Sequence, residues 1–246
     1  MTPIYISIVV PVYSGAAYLR DLATAIDRVR EEIRTSGKPV EIVEAIFVDD
    51  GAIDDSPRIL DELQREHSWI RVIHLSRNFG QHTATAAGIL HSSGDWVATL
   101  DEDLQHEPRH LVAMLLRAIA TGSDVVYAAS NRRVHRSWFR NFTSRATKSI
   151  VGWLAGESAI QHFTSFRMVR GTIARAASSV ATHDTYLDVV FTWFTKRIET
   201  LPLPLVDIRS ERGERSGYSL ARLLQHARRM LLAAGTRPLR IASALG

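Results

Sequence analysis

The first 130 residues alternate short apolar runs with longer segments of helical periodicity, and this alternation constrains the fold more than any other feature. Runs rich in Ile and Val predict strands at residues 6–12, 42–48, 70–75, 96–100 and 124–128. Apolar spacing predicts helices at residues 18–33, 83–91 and 108–121, and Ser56 and Pro57 predict a further helix start with Ser56 as the N-cap. Strands separated by helices imply crossovers and a mainly parallel sheet, which is an α/β fold of the nucleotide-binding type.

The second half is less regular. Residues 163–169 predict a short strand and residues 187–196 a helix, whereas Leu201-Pro202-Leu203-Pro204 is interpreted as a break. Residues 220–234 place leucines, alanines and a methionine on one helical face and arginines opposite, which predicts an amphipathic helix. We therefore expect a large domain at residues 1–206 and a loop with an amphipathic helix at residues 207–246.

The charge distribution is consistent with an anionic partner, either a substrate phosphate or an anionic membrane surface, and the alternative is a solvated basic face. The 30 basic residues are 27 arginines and 3 lysines, and they concentrate at residues 132–148 and 209–240. Arginine has a planar fork of donors that suits phosphate. A pI near 9.7 would also fit nucleic acid, but no nucleic-acid module is recognisable and the acidic strand ends would repel a phosphate backbone. We expect no nucleic-acid partner.

Several absences narrow the function classes. The chain has no cysteine, which excludes disulfides and thiolate chemistry. No segment approaches the roughly 20 continuous apolar residues that span a bilayer, although the chain could still lie on one. The first residues lack the basic region and cleavage site of a signal peptide, so we expect a cytoplasmic protein.

An acidic triplet follows the predicted strand at residues 96–100, in the sequence LDEDLQHEP. Asp101, Glu102 and Asp103 repel one another, and a divalent cation would offset that repulsion. Asp101 and Asp103 with the amide of Gln105 form an all-oxygen donor set that suits Mg²⁺ or Mn²⁺. The alternative is a solvated acidic turn.

A second acidic segment, VDDGAIDDS, follows the strand at residues 42–48. It could place a carboxylate against a nucleobase or ribose; in the alternative, Gly51 makes a turn and Asp54 or Asp55 caps a helix. Because ligands of open sheets bind beyond the carboxyl ends of the strands, we expect both acidic segments to meet at one edge. Neither GxGxxG nor GxxxxGK[ST] occurs in the strand-helix turns, which excludes dinucleotide oxidoreductases and P-loop NTPases.

Ordered sequence blocks resemble one family. They are PVYSG, FVDDGAIDDS, LSRNFGQHTATAAGI, DEDLQHEP, TSFRMV and ERSGYSLARLL. They are similar to family 2 glycosyltransferases of the GT-A fold, and within these to the polyprenyl-phosphate group that contains dolichol-phosphate mannose synthase and undecaprenyl-phosphate sugar transferases. The resemblance implies a Rossmann-like GT-A catalytic domain at residues 1–206, with the active-site loop and a membrane-proximal helix at residues 207–246.

The resemblance also implies an activity: inverting, metal-dependent transfer of a sugar from a UDP- or GDP-sugar to polyprenyl phosphate, at the inner surface of the membrane. Relatives of this group often continue into transmembrane helices after a segment like residues 237–241. The sugar, the nucleotide base and the oligomeric state, including a homo-oligomer, stay open.

The resemblance carries site roles over residue by residue. The nucleotide pocket would be lined by Pro11, Tyr13, Asp49, Asp50 and Asp101. The metal, Mg²⁺ or Mn²⁺, would be held by Asp101, Asp103 and Gln105, and the catalytic set would be Asp101, Asp103 and Arg167, the last facing substrate phosphate. The acceptor phosphate and covering loop would involve Arg132, Arg133, Arg212, Arg215, Ser216 and Tyr218.

The chain departs from the family pattern at three positions. Ser14 stands where relatives usually carry Asn, Ala52 where they carry Ser, and Ser165 where an acid often precedes the Phe-Arg pair. The last change puts a general base at that position in doubt, although a phosphate monoester is already largely a dianion at neutral pH. The changes at Ser14 and Ala52 keep open an inactive nucleotide-sugar binding module. The missing membrane spans keep open a family 2 transferase that acts on a soluble glycan or other acceptor.

Overall fold

A computed structural model describes residues 2–130, 163–182 and 185–204, and the fold is given for these residues. The described strands are β1 Ile4–Val12, β2 Val40–Asp49, β3 Ile70–His74, β4 Trp96–Thr99, β5 Val125–Ser130, β6 Arg167–Arg170 and β7 Ile198–Leu203. The described helices are α1 Leu19–Thr35, α2 Ser56–Glu66, α3 Gln81–Leu90, α4 Leu111–Thr121, α5 Gly171–Val180 and α6 Leu187–Phe194, with a 3₁₀ turn at Pro108–His110 before α4. The amphipathic helix predicted at residues 220–234 lies outside the described residues.

The strands form one sheet in the order β3-β2-β1-β4-β6-β5-β7. β1 runs parallel to β2 and β4, β3 parallel to β2, and β7 parallel to β5. β6 alone among the described strands is reversed, antiparallel to both β4 and β5. The predicted mainly parallel α/β sheet is therefore confirmed.

The reversal of β6 has a direct consequence for the site. Its first residue, Arg167, pairs with Thr99 at the end of β4 and with Tyr127 on β5. An antiparallel strand begins at the edge where its parallel neighbours end, so Arg167 is brought to the carboxyl edge of the sheet.

Helices cover both faces of the sheet, as parallel sheets require. Strand side chains alternate between the two faces, so Ile8 and Val10 join one apolar cluster and Val9 the other. The first cluster includes α1, α2 and α4, and the second includes α3, α5 and α6. Each fully buried Leu or Ile in these layers contributes about 1.5–3 kcal/mol. None of the helices in the described ranges has both the length and the apolar composition to span a bilayer.

The interpretation of Leu201-Pro202-Leu203-Pro204 as a break was wrong. Pro202 lies within β7 and pairs with Ala129 on β5. Proline has no N–H to donate to a neighbouring strand and is therefore tolerated at a sheet edge, and β7 is the last strand in the order of the described strands.

The start of α2 also differs from its prediction. The helix begins at Ser56 itself, so Asp55 rather than Ser56 is the N-cap, without a side-chain capping bond. The Ser56 hydroxyl instead accepts a hydrogen bond from the Gly15 N–H at 3.2 Å, which ties α2 to the loop after β1.

A buried carboxylate joins β1, β2, β3 and the segment before β4. Glu44 Oε1 accepts hydrogen bonds from the Ser7 hydroxyl at 2.8 Å and from the Ser93 N–H and hydroxyl at 2.7 Å each, while Oε2 accepts one from Arg71 at 2.7 Å. Burial alone would raise the pKa of Glu44, but the bonds from Arg71, Ser93 and Ser7 outweigh it and lower the pKa below the ordinary 4.5.

Candidate active site

The two acidic segments lie at the same edge of the sheet, with one strand between them. Asp49 ends β2 and Asp101 follows β4, and both strands run parallel to β1. Since β1 lies between β2 and β4 in the sheet order, its carboxyl end separates the two segments. The prediction of a shared edge is confirmed.

The carboxylate of Asp49 is held within the protein. Oδ1 accepts a hydrogen bond from the Ala52 N–H at 2.7 Å, and Oδ2 lies 2.8 Å from Nδ1 of His74. The other ring nitrogen of His74 lies 3.2 Å from Asp61 on α2. The bond to Asp49 raises the pKa of His74 above 6.5. Through its two ring nitrogens, His74 at the end of β3 connects the end of β2 to α2.

Asp50 organises the loop that leads into α3. Its two carboxylate oxygens accept hydrogen bonds from the backbone N–H groups of Phe79 at 2.7 Å and Gly80 at 2.8 Å. Asp50 is buried, and this burial raises its pKa above the ordinary 3.8 despite the two bonds. The two hydrogen bonds that Asp50 accepts therefore hold the backbone of Phe79 and Gly80 in place.

The same loop packs closely against the turn after β2. Gly51 has φ +65°, and a β-carbon there would lie 2.7 Å from backbone atoms of Arg77 and Asn78. Only glycine fits this left-handed position at such a close approach. One residue beyond the loop, Gln81 begins α3 and reaches the other acidic segment.

The three acids of the triplet have three different environments. Asp101 Oδ1 accepts a hydrogen bond from the Gln81 amide at 2.6 Å, and Oδ2 accepts one from the Ser165 hydroxyl at 2.5 Å. Glu102 accepts hydrogen bonds from the N–H groups of Tyr13 at 2.9 Å and Ser14 at 3.2 Å.

Asp103 is buried and accepts a bond at 3.1 Å from the backbone N–H of Gln105. Asp101 thus contacts the start of α3, Glu102 binds the loop after β1, and Asp103 binds the backbone of its own turn.

A cavity of about 200 Å³ opens beside Asp101. Three residues predicted for the site line it: Pro11, Asp101 and Arg167. The cavity therefore lies between the end of β1, the segment after β4 and the start of β6.

The floor of the cavity is a buried ion pair. Arg167 is 3% exposed, and its Nη1 donates to Oδ1 of Asp188 on α6. The Tyr127 hydroxyl donates to the same carboxylate oxygen at 2.9 Å. The guanidinium of Arg167 lies 5.3 Å from the ring centroid of Phe191. Complete burial raises the pKa of Tyr127 well above 10, so its hydroxyl stays a donor.

Aromatic rings form part of the cavity wall. The rings of His82 and Tyr186 lie 4.1 Å apart between centroids, and both residues line the cavity. Phe163 also lines it and packs 5.3 Å from Tyr127. These rings give the cavity apolar faces beside its polar floor.

The structure brings only part of the predicted site into the cavity. Asp49, Asp50, Asp103 and Gln105 make the contacts described above rather than lining it, and Tyr13 is 41% exposed on the loop after β1. The predicted Arg132, Arg133, Arg212, Arg215, Ser216 and Tyr218 lie outside the described residues.

The residues of the site that sequence reasoning missed include Gln81, Asp188 and Tyr127. Gln81 belongs to a block that the family resemblance had singled out, so its position was available as a signal. Asp188 was detectable as an acid inside the apolar run YLDVVF. Tyr127 has no comparable sequence signal, because it lies in an ordinary buried strand.

The residues beside the cavity fit a divalent cation by their chemistry. Each oxygen of Asp101 accepts one protein hydrogen bond and keeps a second lone pair. Buried Nδ1 of His106 has no hydrogen-bond partner among the described residues and lies 3.9 Å from Asp101 Oδ2. The described ranges contain no group of three acidic or histidine side chains arranged around one point. Mg²⁺ commonly needs only one or two protein carboxylates, because phosphate oxygens and water supply its other ligands.

This chain is similar to known proteins both in sequence and in fold. The chain is 33% identical over 243 residues to an undecaprenyl-phosphate 4-deoxy-4-formamido-L-arabinose transferase of Edwardsiella ictaluri, covering 98% of this chain and 71% of that relative. The glucosyl-3-phosphoglycerate synthase of Mycobacterium tuberculosis, in complex with Mn²⁺, UDP and glucosyl-3-phosphoglycerate, is similar with a TM-score of 0.63 at 15% identity, over 95% of this chain and 80% of that one.

S. aureus TarS in complex with UDP-GlcNAc is similar with a TM-score of 0.55 at 16% identity, over 80% of this chain. The chain spans 56% of that TarS chain. These two structural likenesses support the GT-A type of fold. The family model described as "Glycosyl transferase family 2" matches residues 7–180, which is most of the chain. Together with the 33% identical relative, that match establishes that this chain belongs to glycosyl transferase family 2 and has its GT-A fold.

Proposed function

We propose that this chain transfers a sugar, with inversion, from a nucleotide diphosphate donor to polyprenyl phosphate at the cytoplasmic surface of a membrane. The observation that carries the proposal is the 33% identity, over 98% of the chain, to a relative named as an undecaprenyl-phosphate sugar transferase. The cavity beside Asp101 supports it, because a carboxylate and a buried Arg167 line one space at the ligand-binding edge of the sheet.

The proposed reaction is a single displacement. An oxygen of the lipid phosphate forms a bond to the anomeric carbon, while the bond from that carbon to the diphosphate oxygen breaks and its electron pair leaves with the nucleoside diphosphate. The lipid phosphate has a second pKa near 6, so it attacks largely as a dianion and needs no proton removed. Ser165, in place of an acid, is compatible with this chemistry.

In this proposal the residues at the edge have separate tasks. Asp101, held by Gln81 and Ser165, presents a carboxylate at the mouth of the cavity. Asp103 would be the second carboxylate for Mg²⁺ or Mn²⁺, with Gln105 beside it. When bound, such a cation stabilises the charge of the departing diphosphate. A structural neighbour crystallised with Mn²⁺ and UDP supports this use of metal.

The nucleotide is proposed to lie along the loops after β1 and β2. Pro11 lies near the end of β1 and Tyr13 on the loop that follows it, while Asp49 at the end of β2 and Asp50 after it shape the second loop. The arginines of residues 132–133 and 207–246 are proposed for the acceptor phosphate and for membrane contact, since arginine-rich segments attract anionic surfaces. UDP and GDP donors are both retained, and so is a homo-oligomer.

The test is a transfer assay with defined components. The purified chain is mixed with Mn²⁺ or Mg²⁺, a panel of UDP- and GDP-sugars, and phosphatidylethanolamine–phosphatidylglycerol vesicles with or without undecaprenyl phosphate. We expect nucleoside diphosphate release and a glycolipid product only with the lipid phosphate present. Release of nucleoside diphosphate when a soluble glycan replaces the lipid phosphate would indicate the soluble-acceptor enzyme. Binding of a nucleotide sugar without any release would indicate an inactive binding module. Either result would refute the proposal.

A further inference from the structure

The floor of the cavity carries little net positive charge, although an arginine forms it. Arg167 is ion-paired with Asp188, and both side chains are almost completely buried, at 3% and 2% exposure. The other charged residue lining the cavity in the described part is Asp101, which is negative. With the proposed cation at Asp101 engaged by the diphosphate, a second phosphate placed beside Arg167 would meet only a neutralised guanidinium, which is a weak site for an anion.

The donor and acceptor atoms of the cavity residues that have no partner in the described part of the protein suit the hydroxyl groups of a ligand. Nε of Arg167 is buried without a hydrogen-bond partner among the described residues, so it is a donor that needs an acceptor. Asp101 keeps acceptor capacity, and Ser165 and Gln81 add polar atoms along the rim. A sugar hydroxyl can donate and accept at once, whereas a phosphate dianion can only accept.

The size and walls of the cavity agree with a single sugar ring. Its volume of about 200 Å³ is below the roughly 300 Å³ at which pockets for complete drug-sized ligands begin, so it suits one part of a nucleotide sugar. His82, Tyr186 and Phe163 supply ring surfaces for the apolar face of a sugar.

Asp188 produces this environment. Its Oδ1 accepts hydrogen bonds from both Arg167 and Tyr127, which lie on neighbouring strands β6 and β5. We propose that Asp188 is a positioning residue: by holding and neutralising Arg167, it makes the cavity a subsite for the uncharged, hydroxyl-rich sugar being transferred, rather than for the acceptor phosphate. This inference rests on the proposed function and replaces the predicted role of Arg167 toward substrate phosphate.

The test compares two buried aspartates that both pair with arginine. Asp188→Asn keeps the shape but removes the neutralising charge, while Asp124→Asn does the same at the opposite edge of the sheet, where Asp124 pairs with Arg170 and Arg197. Calorimetry with Mn²⁺ measures the affinity for the nucleotide sugar that the transfer assay selects and for its nucleoside diphosphate alone. Inorganic phosphate is titrated as an inhibitor in parallel.

We expect Asp188→Asn to weaken nucleotide-sugar binding by about tenfold or more while the nucleoside diphosphate affinity stays within about twofold. Inhibition by inorganic phosphate should appear or strengthen, because Arg167 is then uncompensated. Asp124→Asn should change neither property. Equal weakening of both ligands by Asp188→Asn, or unchanged phosphate inhibition, would overturn the proposal.

A second variant covers the case in which Asp188→Asn does not fold, as judged by circular dichroism. Tyr186→Ala removes a half-buried wall of the cavity and should weaken the nucleotide sugar selectively; an unchanged affinity would count decisively against a sugar subsite. If nucleotide sugars bind and turn over in the wild type but these variants behave otherwise, only the subsite inference fails. If no nucleotide sugar binds, the proposed function fails as well.

Discussion

The substitution Asp101→Asn should separate activity from stability, because of the particular donors that hold this carboxylate. Its two oxygens accept one bond from the Gln81 amide and one from the Ser165 hydroxyl. An asparagine keeps one oxygen and replaces the other by a donor group. A hydroxyl can accept as well as donate, and the Gln81 amide can rotate to present its oxygen. Both contacts can therefore persist as neutral hydrogen bonds.

The expected loss of stability follows from that exchange. Two charge-assisted bonds become two neutral ones, each about half as strong, and 27% exposure of the Asp101 side chain reduces the difference further. We expect a decrease of about 1 kcal/mol in the free energy of unfolding. Urea denaturation followed by circular dichroism measures it.

The expected loss of activity is much larger. If Asp101 holds the cation that stabilises the departing diphosphate, neutralising Asp101 weakens that preorganised electrostatic group, and the loss of one such group typically costs about 10²–10³-fold in kcat. Nucleoside diphosphate release in the presence of vesicles with undecaprenyl phosphate is the assay. Asp27→Asn on α1, half-exposed and remote from the cavity, is the control and should retain wild-type turnover.

Two results would refute this reasoning. Turnover of Asp101→Asn within about threefold of the wild type would show that the carboxylate charge is not used in the reaction. A loss of stability above about 3 kcal/mol would show that the hydrogen-bond donors cannot reverse their roles, and any loss of activity would then be uninformative about chemistry.

Three further predictions concern charge, backbone and the acidic triplet. Glu44→Gln should lower the free energy of unfolding by about 2 kcal/mol near pH 7, whereas exposed Glu41→Gln on the same strand should not. Since the pKa of Glu44 is lowered in the folded state, this difference is present above pH 4.5 and should shrink as the pH falls further, which urea denaturation at several pH values would test. Gly51→Ala should cost about 3 kcal/mol from its positive φ and backbone clash; Gly37→Ala, at φ +66° with open space, should cost only about 1 kcal/mol. Asp103→Ala should abolish turnover while circular dichroism reports a folded chain, and unchanged turnover would reject its assignment to metal.

Much of the fold was predictable because periodicity and local turn chemistry report it directly. The predicted strands at residues 6–12 and 42–48 are observed as β1 and β2, extended by a few residues. The edge strand β7 was not predictable in the same way, because Pro202 argues against a strand unless the sheet order is known. Strand order is a property of tertiary packing, which the local sequence does not report.

The site was predictable only in outline, for a related reason. Acids at strand ends indicated the correct edge, and Asp101 lines the cavity there. The contacts that define its chemistry join distant parts of the chain: Ser165 to Asp101 across 64 positions, and Tyr127 to Asp188 across 61. Such pairs follow from the reversed strand β6 and the packing of α6, which no spacing rule contains.

The segment Phe79-Gly80-Gln81 spans the gap between the two acids that flank β1. Its backbone is anchored by Asp50 and its first helical side chain by Asp101, so a shift of either acid pulls on the other through three residues. Gly80 sits at the middle of this bridge with φ +95°, a conformation that other residues adopt only under strain. A single β-carbon at position 80 would therefore disturb two carboxylates that have no direct contact in the structure.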